Sequence, residues 1–531
     1  MSTRRGVVAV LAALLLFAGC RGCRQPAAAP VLTLVTSDAR LALYVPRIGT
    51  LSQNAAAFVT ALESRAHSDA IRRVRLALAT QLGVDPLAPD ALGRLGLRAD
   101  GEALLYVAAN ERWPLLLLPL EAPETFERAI RALVQKVDGA DRFATEEIGA
   151  TRVHVIGRPF GDAVVPVLGY LARDGYVFVA TGPGIAQLHA MARQSTPADA
   201  RPQSLGAVWH PRPSAGVVPW AALYTPHGSA TMTLGASGLD IDGFVKLADA
   251  QGVALLAGSS PVSLLPEVGS DALLFALTPV ARADVWTALH ALPSAAAVGS
   301  RLLGQFANAS GLDPEREVLP LLAGPLSAAV YLGDPQVVGS MLQRARPARL
   351  SLDVVHVAIV ARLRDPTAML TLLRRSQKLL AERHIAVREI RESFGGQEAQ
   401  LFVPGDPARA KLGWAVWGDR YVYGAGSGRL RATLDRLARL RAGSTDEQGP
   451  HVDDNVLRDW LAHEGTSMVV VRGTALGERL GNLLGGAAAT EPTLGTALDA
   501  VIRLVTALGD VGVAVQAEPE GLRLRVHEAL P

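Results

Sequence analysis

Cysteine is nearly missing from this chain, which has two, Cys20 and Cys23, among 531 residues. A disulfide framework therefore cannot hold the fold together, and the folded part must depend on buried apolar surface. Lysine is also rare, since four of the 52 basic residues are Lys and the rest are Arg. The formal net charge is only +2, so the composition favours neither nucleic acid nor an acidic partner.

Long apolar runs are missing after the first thirty residues. A helix that spans a bilayer needs roughly 20 apolar residues, whereas later runs such as Leu115 to Leu118 have the length of a strand. The chain is nevertheless 49% hydrophobic, which is enough to bury two or more domain cores. The composition therefore predicts a folded chain with no membrane span beyond residue 30.

The start of the chain has the pattern of a bacterial export signal. Arg4-Arg5 is a short positive segment, the stretch 7–17 is apolar, and Ala18-Gly19 precedes Cys20. The apolar core is too short to span a bilayer. A cysteine directly after small residues is typical of a lipoprotein signal, in which that cysteine receives fatty acid. We therefore predict a signal peptide over 1–19 and lipidation of Cys20 by chains such as palmitate; a plain secreted protein is the alternative.

The segment 20–31 is predicted to be a flexible tether, because its prolines and alanines keep it extended and offer no apolar face. One acyl chain anchors a protein only marginally, and bacterial lipoproteins, which this signal resembles, carry several on one cysteine. Arg21 stands where Asp would favour the inner membrane, so we expect the outer membrane. Cys23 has no partner in the chain once Cys20 is acylated. It is either an incidental thiol or the site of an intermolecular disulfide.

The rest of the chain repeats itself. Five segments recur in the same order at offsets of roughly 225 to 245 residues. The pairs are Ser37-Asp38-Ala39 with Ser270-Asp271-Ala272, Gly83-Val84-Asp85-Pro86 with Gly311-Leu312-Asp313-Pro314, 103–107 with 328–332, Pro123 with Asp365-Pro366, and 174–179 with 419–424. Chance rarely supplies five matches in register. The sequence therefore predicts a tandem duplication, with a first repeat unit over 32–258 and a second over 259–531.

Each repeat is expected to be an α+β unit, a largely antiparallel sheet with helices packed on one face. Short runs such as Tyr176 to Ala180 have strand-like composition. Apolar residues from Phe126 to Val137 fall on one helical face, and Pro123 suits the first turn of that helix. In the second repeat, Asp365 is expected to cap the matching helix. Asp85 and Asp313, each before a proline, are likewise expected to cap a helix or start a turn.

These features together resemble a family of exported bacterial lipoproteins known only as a domain of unknown function. The shared features are the opening strand after Asp38-Ala39, the Gly-x-Asp-Pro turn at 83–86, the acidic-Pro helix start at Asp365-Pro366, and Asp-x-Tyr-Val at 174–177. The resemblance covers most of 32–531. It implies an envelope location and a duplicated α+β unit, and it carries no catalytic residues.

Two glycine-rich turns invite a test for nucleotide binding. Gly182-Pro183-Gly184 follows a predicted strand and opens a helix, as a dinucleotide fingerprint does. However, Gln187 occupies the third glycine position, and no acidic residue follows about 20 positions later. The matching segment, 424–428, also lacks the third glycine at its spacing. Both segments are therefore interpreted as strand-to-helix turns.

Patterns of catalysis and metal binding are also missing. The histidines are scattered, and neither a zincin pair nor a Gly-x-Ser-x-Gly or Ser-x-x-Lys motif stands out. The densest group of potential ligands, His451-Val452-Asp453-Asp454, lies in a polar linker and is interpreted as solvated charge. The basic helix 429–441 is interpreted as a solvated face, with a membrane-surface helix as the alternative. A catalytic set assembled from distant positions stays open.

The sequence thus predicts a non-catalytic envelope protein, anchored to a membrane by a lipid on Cys20, that acts through protein–protein contacts as a scaffold or accessory. No catalytic, cofactor-binding or metal-binding residue is predicted. A carrier or chaperone for a lipophilic or peptide ligand is the first alternative, and an unrecognised hydrolase is the second.

Overall fold

A computed structural model describes most of the chain beyond residue 30, in these ranges: 31–66, 69–85, 87–88, 90–149, 151–160, 163–193, 204–205, 209, 221–226, 228–236, 238–246, 260–278, 312–333, 354–407, 410–444, 449–488, 502–503, 505–518 and 521–530. The chain divides after Gly243 into two compact units. In the part of the chain that is described, no helix is both long and apolar enough to span a membrane.

Among the described residues, the first unit combines ten strands with five helices. The strands are β1 Ala39–Val45, β2 Ala103–Ala108, β3 Leu115–Pro119, β4 Arg142–Ile148, β5 Thr151–Phe160, β6 Ala163–Arg173, β7 Tyr176–Thr181, β8 Ala221–Thr225, β9 Gly228–Gly235 and β10 Gly238–Lys246. The helices are α1 Ile48–Ala66, α2 Asp69–Leu82, α3 Ala91–Arg94, α4 Pro123–Asp138 and α5 Ile185–Arg193. Hydrogen bonding places the strands in the order β4-β5-β6-β7-β3-β2-β1-β8-β9-β10.

Helices cover both faces of this part of the sheet. Consecutive residues of a strand point to opposite faces, and all five residues of β3 are buried. Leu116 and Leu118 pack with Phe126 of α4, whereas Leu115 and Leu117 pack with the face that Leu188 of α5 covers. An unbroken run of leucines is typical of a strand that is buried on both sides.

In the described part of the second unit there are also ten strands, with four helices. The strands are β11 Leu274–Thr278, β12 Leu322–Leu332, β13 Val355–Leu363, β14 Val387–Phe394, β15 Gln397–Pro404, β16 Leu412–Trp417, β17 Arg420–Ala425, β18 Thr466–Arg472, β19 Asp510–Glu518 and β20 Gly521–Ala529. The helices are α6 Pro366–Glu382, α7 Arg429–Arg441, α8 Asn455–Ala462 and α9 Gly473–Ala488.

Strand order in the second unit is β14-β15-β16-β17-β13-β12-β11-β18-β19-β20. This is the strand order of the first unit, position by position, with β14 in the place of β4 and β20 in the place of β10. Here too the helices lie on both faces. Leu401 of β15 packs with Leu434 of α7, and the next residue, Phe402, packs with Met369 of α6. Strands at the same place in the two units, such as β4 and β14, can therefore be compared directly.

The expected fold class, two tandem α+β units that each have their own sheet with helices on one face, is wrong. All twenty described strands are assigned to one antiparallel sheet, and helices lie on both of its faces. The second helical face exists because runs such as β3 have no side that tolerates water.

Local predictions of helix starts are confirmed. Pro123 is the first residue of α4. Asp365 caps α6, since its side chain accepts a hydrogen bond from the amide of Ala368 at 2.9 Å. Asp313 accepts hydrogen bonds from the amides of Glu315 and Arg316 at the start of a short helical turn. Caps of this kind satisfy amides that have no partner inside the helix.

Candidate functional site

The predicted lipidation site, Cys20, and the second cysteine, Cys23, lie outside the described residues. The structure begins at Val31, whose amide donates a hydrogen bond to Glu102 Oε2 at 2.7 Å. Glu102 directly precedes β2, so the chain enters the first unit at the end of the sheet where β2 begins. A tether that precedes Val31 would therefore join the first unit at the end of the sheet where β2 begins.

The two glycine-rich turns are filled by the protein itself. A Cβ atom on Gly424 would lie 2.5 Å from the backbone N and Cα of Leu430. A Cβ atom on Gly426 would lie 2.2 Å from the ring of His356. In the first unit, a Cβ atom on Gly184 would lie 3.0 Å from the Cβ of Trp113. Neighbouring protein atoms occupy the space that a Cβ atom would need at each of these glycines. This supports the interpretation of both segments as strand-to-helix turns.

The basic helix α7 turns much of its charge towards its own unit. The guanidinium of Arg429 lies 3.7 Å from the centre of the Tyr331 ring and 3.5 Å from a carboxylate oxygen of Asp271. Arg431 donates hydrogen bonds to both carboxylate oxygens of Glu392 at 2.9 and 2.6 Å. Since these side chains are engaged by the sheet, the helix does not present a uniformly free basic face.

The segment 451–454 borders a polar pocket of about 440 Å³. Its lining is rich in carboxylates and also contains Arg472; the residues are His451, Asp453, Asp454, Arg472, Thr474, Ala475, Glu478, Asp510 and Leu530. His451 and Asp453 pair with each other at 2.9 Å, and both are largely exposed, as predicted for solvated charge. The side chain of Asp454 is only 19% exposed, so that prediction is wrong for this residue. Among the residues that the structure covers, no group of three or more His, Cys, Asp or Glu side chains is arranged to hold a metal ion.

Asp454 and Arg472, two residues that line this pocket, already bind other groups of the protein. Asp454 caps α8 by accepting a hydrogen bond from the amide of Leu457 at 2.8 Å, and it lies 3.3 Å from Nε2 of His527. Arg472 donates hydrogen bonds to the carbonyl oxygens of Ser270 and Ala272 at 2.8 and 2.9 Å. The pocket therefore joins the ends of elements in the second unit, and it shows no nucleophile paired with a base.

Asp510 is the inner carboxyl group of that pocket whose ionisation is most affected. Burial raises its pKa, and the carboxylates of Asp453 and Asp454 raise it further, while the guanidinium of Arg472 and a hydrogen bond from the amide of Gly473 act in the opposite direction. A carboxyl group so placed holds a proton more readily than an exposed one.

Three exposed apolar residues lie together at the end of the β5–β6 hairpin, named here the apolar tip: Phe160, Val164 and Val165. Their exposed fractions are 76%, 52% and 42%. The pairs Phe160 with Ala163 and Arg158 with Val165 place Phe160 and Val165 on one face, while Val164 lies on the other face. Both faces of the tip are thus apolar, and the three side chains are exposed instead of packing in a hydrophobic core.

Hairpin length explains why the apolar tip stands clear of the sheet. β5 and β6 have 10 and 11 residues, whereas β15 and β16, which hold the same places in the second unit, have 8 and 6. Only the residues from Leu168 onwards in β6 pair with β7, so the preceding part projects beyond its neighbour. At its base, Val164 leans over Gly157, where an added Cβ would lie 2.4 Å from Val164 Cγ1.

The apolar tip and the chain entry at Val31 lie at opposite ends of the strands. The start of β7 at Tyr176 pairs with Arg173 and Pro119, and its end at Thr181 pairs with Leu168. From the Tyr176 end to the tip the hairpin covers about ten residues, or roughly 33 Å at 3.3 Å per residue. The tip therefore points away from the end at which a tether would attach.

Sequence reasoning missed the apolar tip, although a signal was present. Apolar residues flank the dipeptide Gly161-Asp162 on both sides, and Gly and Asp together favour a tight hairpin turn. An apolar stretch at the outer end of a long hairpin has no neighbouring strand to cover it.

Comparisons with family models, with curated proteins and with solved structures found no match to this chain.

Proposed function

We propose that this chain is a lipid-anchored envelope protein that acts through protein–protein contacts, with the apolar tip of the β5–β6 hairpin as its docking element. The export signal and Cys20 carry the membrane part of the proposal, and Arg21 favours the outer membrane. The partner is an envelope protein with an apolar groove, because a hairpin that is apolar on both faces is covered better by a groove than by a flat surface.

The observation that supports this function is the exposure of Phe160, Val164 and Val165 on one projecting hairpin. Isolated apolar residues on a surface need no explanation, but a contiguous apolar patch marks a site of interaction. Full burial of one such side chain contributes about 1.5–3 kcal/mol. Three of them on a rigid hairpin are sufficient to act as the anchor of a docking surface.

A protein partner fits the geometry better than the bilayer does. Ten residues lie between Cys20 and Val31, so eleven peptide units join the two, and these span about 36–40 Å when fully extended. When the strands stand perpendicular to the membrane, the tip, which lies roughly 33 Å along the strands from the entry of the chain, reaches the lipid only if the tether is almost fully stretched. A relaxed tether leaves the tip facing away from the lipid surface.

The carrier function receives less support from the cavities of the described residues. The apolar pocket behind α4, lined by residues that include Leu118, Phe126 and Ile130, has a volume of about 20 Å³. A volume of that size holds about one water molecule and is far too small for an acyl chain. The larger pocket, beside Asp510, is lined by charged groups, which a lipophilic ligand would have to desolvate.

Cys20→Ser is expected to release the protein from membranes or to block its maturation, because the thiol is the group that receives fatty acid. The measurement is the partition of the protein between membrane and soluble fractions, together with the mass of its mature N-terminus. Cys23→Ser is the matched control and is expected to fractionate like the original chain. Processing and membrane attachment that continue unchanged in Cys20→Ser would refute the lipid anchor.

Phe160→Asp is expected to abolish partner contact at the tip without unfolding the protein, because exposed substitutions usually change stability by no more than about 0.5 kcal/mol. A photoreactive amino acid placed at Val164 in producing cells should give one discrete adduct with another envelope protein. That adduct should disappear when Phe160→Asp is added.

Ile385 provides the control position for this experiment, since it is 45% exposed and belongs to the second unit. The photoreactive group at Ile385 should give no such adduct, and Ile385→Asp should leave the adduct at Val164 intact. Adducts formed only with lipid, or equally at both positions, would contradict a protein-docking tip.

A further inference from the structure

Strand β4 is the outermost strand of the first unit, and one of its edges has no partner among the described residues. β4 pairs with β5 over its whole length, from Arg142 with Gly157 to Ile148 with Thr151, without a shift in register. Six of its seven residues are exposed. The strand therefore presents a straight row of backbone N–H and C=O groups, a template for pairing with another chain.

The corresponding outer strand of the second unit, β14, is less available. Its end residues, Val387 and Phe394, are buried, and several of the residues between them are half-buried. Arg374 of α6 pairs with Glu389 at 2.7 Å, and Arg431 of α7 pairs with Glu392 at 2.6 Å. Helices thus hold the charged side chains of β14 from both faces. Helices also contact β4, since His189 of α5 lies 3.4 Å from Glu146 and Arg131 of α4 lies 4.3 Å from the centre of the Phe143 ring. The residues of β4 are nevertheless more exposed than those of β14.

The residues of β4 are complementary to a second copy of the same strand. In antiparallel pairing about a two-fold axis through Ala144, Arg142 of each copy lies opposite Glu146 of the other, and Phe143 lies opposite Thr145. Opposite charges placed directly across two strands attract, whereas like charges repel. Both charged side chains are at least half exposed, so they are accessible to a second copy.

Other registers in which both copies keep the same face of the sheet upward lack this complementarity. Pairing about Thr145 places Arg142 opposite Ile148 and Phe143 opposite Glu147, so no charge is matched. A shift of one residue places Arg142 opposite Glu147, but it requires the second copy to be turned over, so that the two sheets would join with opposite faces upward. In the register about Ala144, Glu147 of one copy lies opposite Asp141 of the other copy, which directly precedes the strand. Arg152 already lies 3.3 Å from Glu147 and offsets that repulsion.

From this exposed and self-complementary edge, we infer that two copies of the chain pair through β4, antiparallel and centred on Ala144. The sheet then continues from one copy into the other. This contact uses the edge of β4, whereas the apolar tip lies on the hairpin beyond Gly157, so the two proposals stand or fall separately.

Ala144→Cys tests the contact, because the two substituted residues would face each other with Cβ atoms about 4.5–5.5 Å apart. The purified full-length chain, carrying Cys23→Ser, should form a disulfide-linked dimer when it is oxidised in mild detergent. Ile148→Cys is the matched control. Its two copies would lie eight residues apart, roughly 27 Å, and should stay monomeric on a non-reducing gel.

Charge reversal then tests the register. Arg142→Glu replaces two attractive pairs with two repulsive ones, and the dimer yield of Ala144→Cys should fall roughly tenfold. Arg142→Glu with Glu146→Arg restores opposite charges and should restore the yield. Equal crosslinking at 144 and 148, no crosslinking at 144, or a yield insensitive to Arg142→Glu would each overturn the inference.

Discussion

Gly426→Ala should lower the free energy of unfolding of the second unit by about 2–6 kcal/mol, the sum of backbone strain and overpacking. Gly426 has φ +108°, which L-residues rarely adopt. The added Cβ would also lie 2.2 Å from the ring of His356, whose side chain is buried in β13 and cannot easily retreat. Urea unfolding followed by circular dichroism measures the loss.

Gly428→Ala is the matched control, two residues away in the same turn. Gly428 has φ +68°, and nothing lies within 4 Å of its missing Cβ, so only the left-handed strain of about 1–2 kcal/mol is expected. If Gly426→Ala costs no more than Gly428→Ala, His356 does not fill the turn. Space for a phosphate group would then exist, and nucleotide binding would need to be reconsidered.

Local features of the fold could be predicted from the sequence because local chemistry determines them. Asp365 and Asp313 cap helical turns since a carboxylate next to Pro is well placed to accept the first free amides. The three strands β8, β9 and β10 lie where turn residues separate runs of strand-like composition. Such signals extend over only a few residues, and the neighbouring chain completes them.

Features that depend on distant partners could not be predicted in this way. In each unit the third strand along the chain pairs with a strand far away in the sequence, as β3 does with β7, yet no pattern within either strand identifies its partner. Helix α9 continues through the Gly/Ala-rich segment from Gly481 to Ala488, because tertiary context overrides the low helix propensity of glycine. The partly buried role of Asp454, as a cap beside His527, likewise required the fold to be known.

Arg420→Met is expected to destabilise the second unit by about 3–5 kcal/mol, because it leaves a buried carboxylate without its cation. Arg420, at the start of β17, pairs through Nη1 with Oε1 of Glu267. Their side chains are only 20% and 9% exposed. Ser327 donates a hydrogen bond to the other oxygen of Glu267 at 2.9 Å, which alone cannot replace the charge.

Glu267→Gln with Arg420→Met completes a double-mutant cycle. Removing both charges leaves no unpaired ion, so the double variant should recover most of the stability that Arg420→Met loses. The coupling energy, from urea unfolding of the original chain, the two single variants and the double variant, should exceed about 1 kcal/mol. Costs that simply add, to within about 0.5 kcal/mol, would mean that the two side chains do not interact. The single sheet would then have to hold β17 in place by backbone pairing and apolar packing alone.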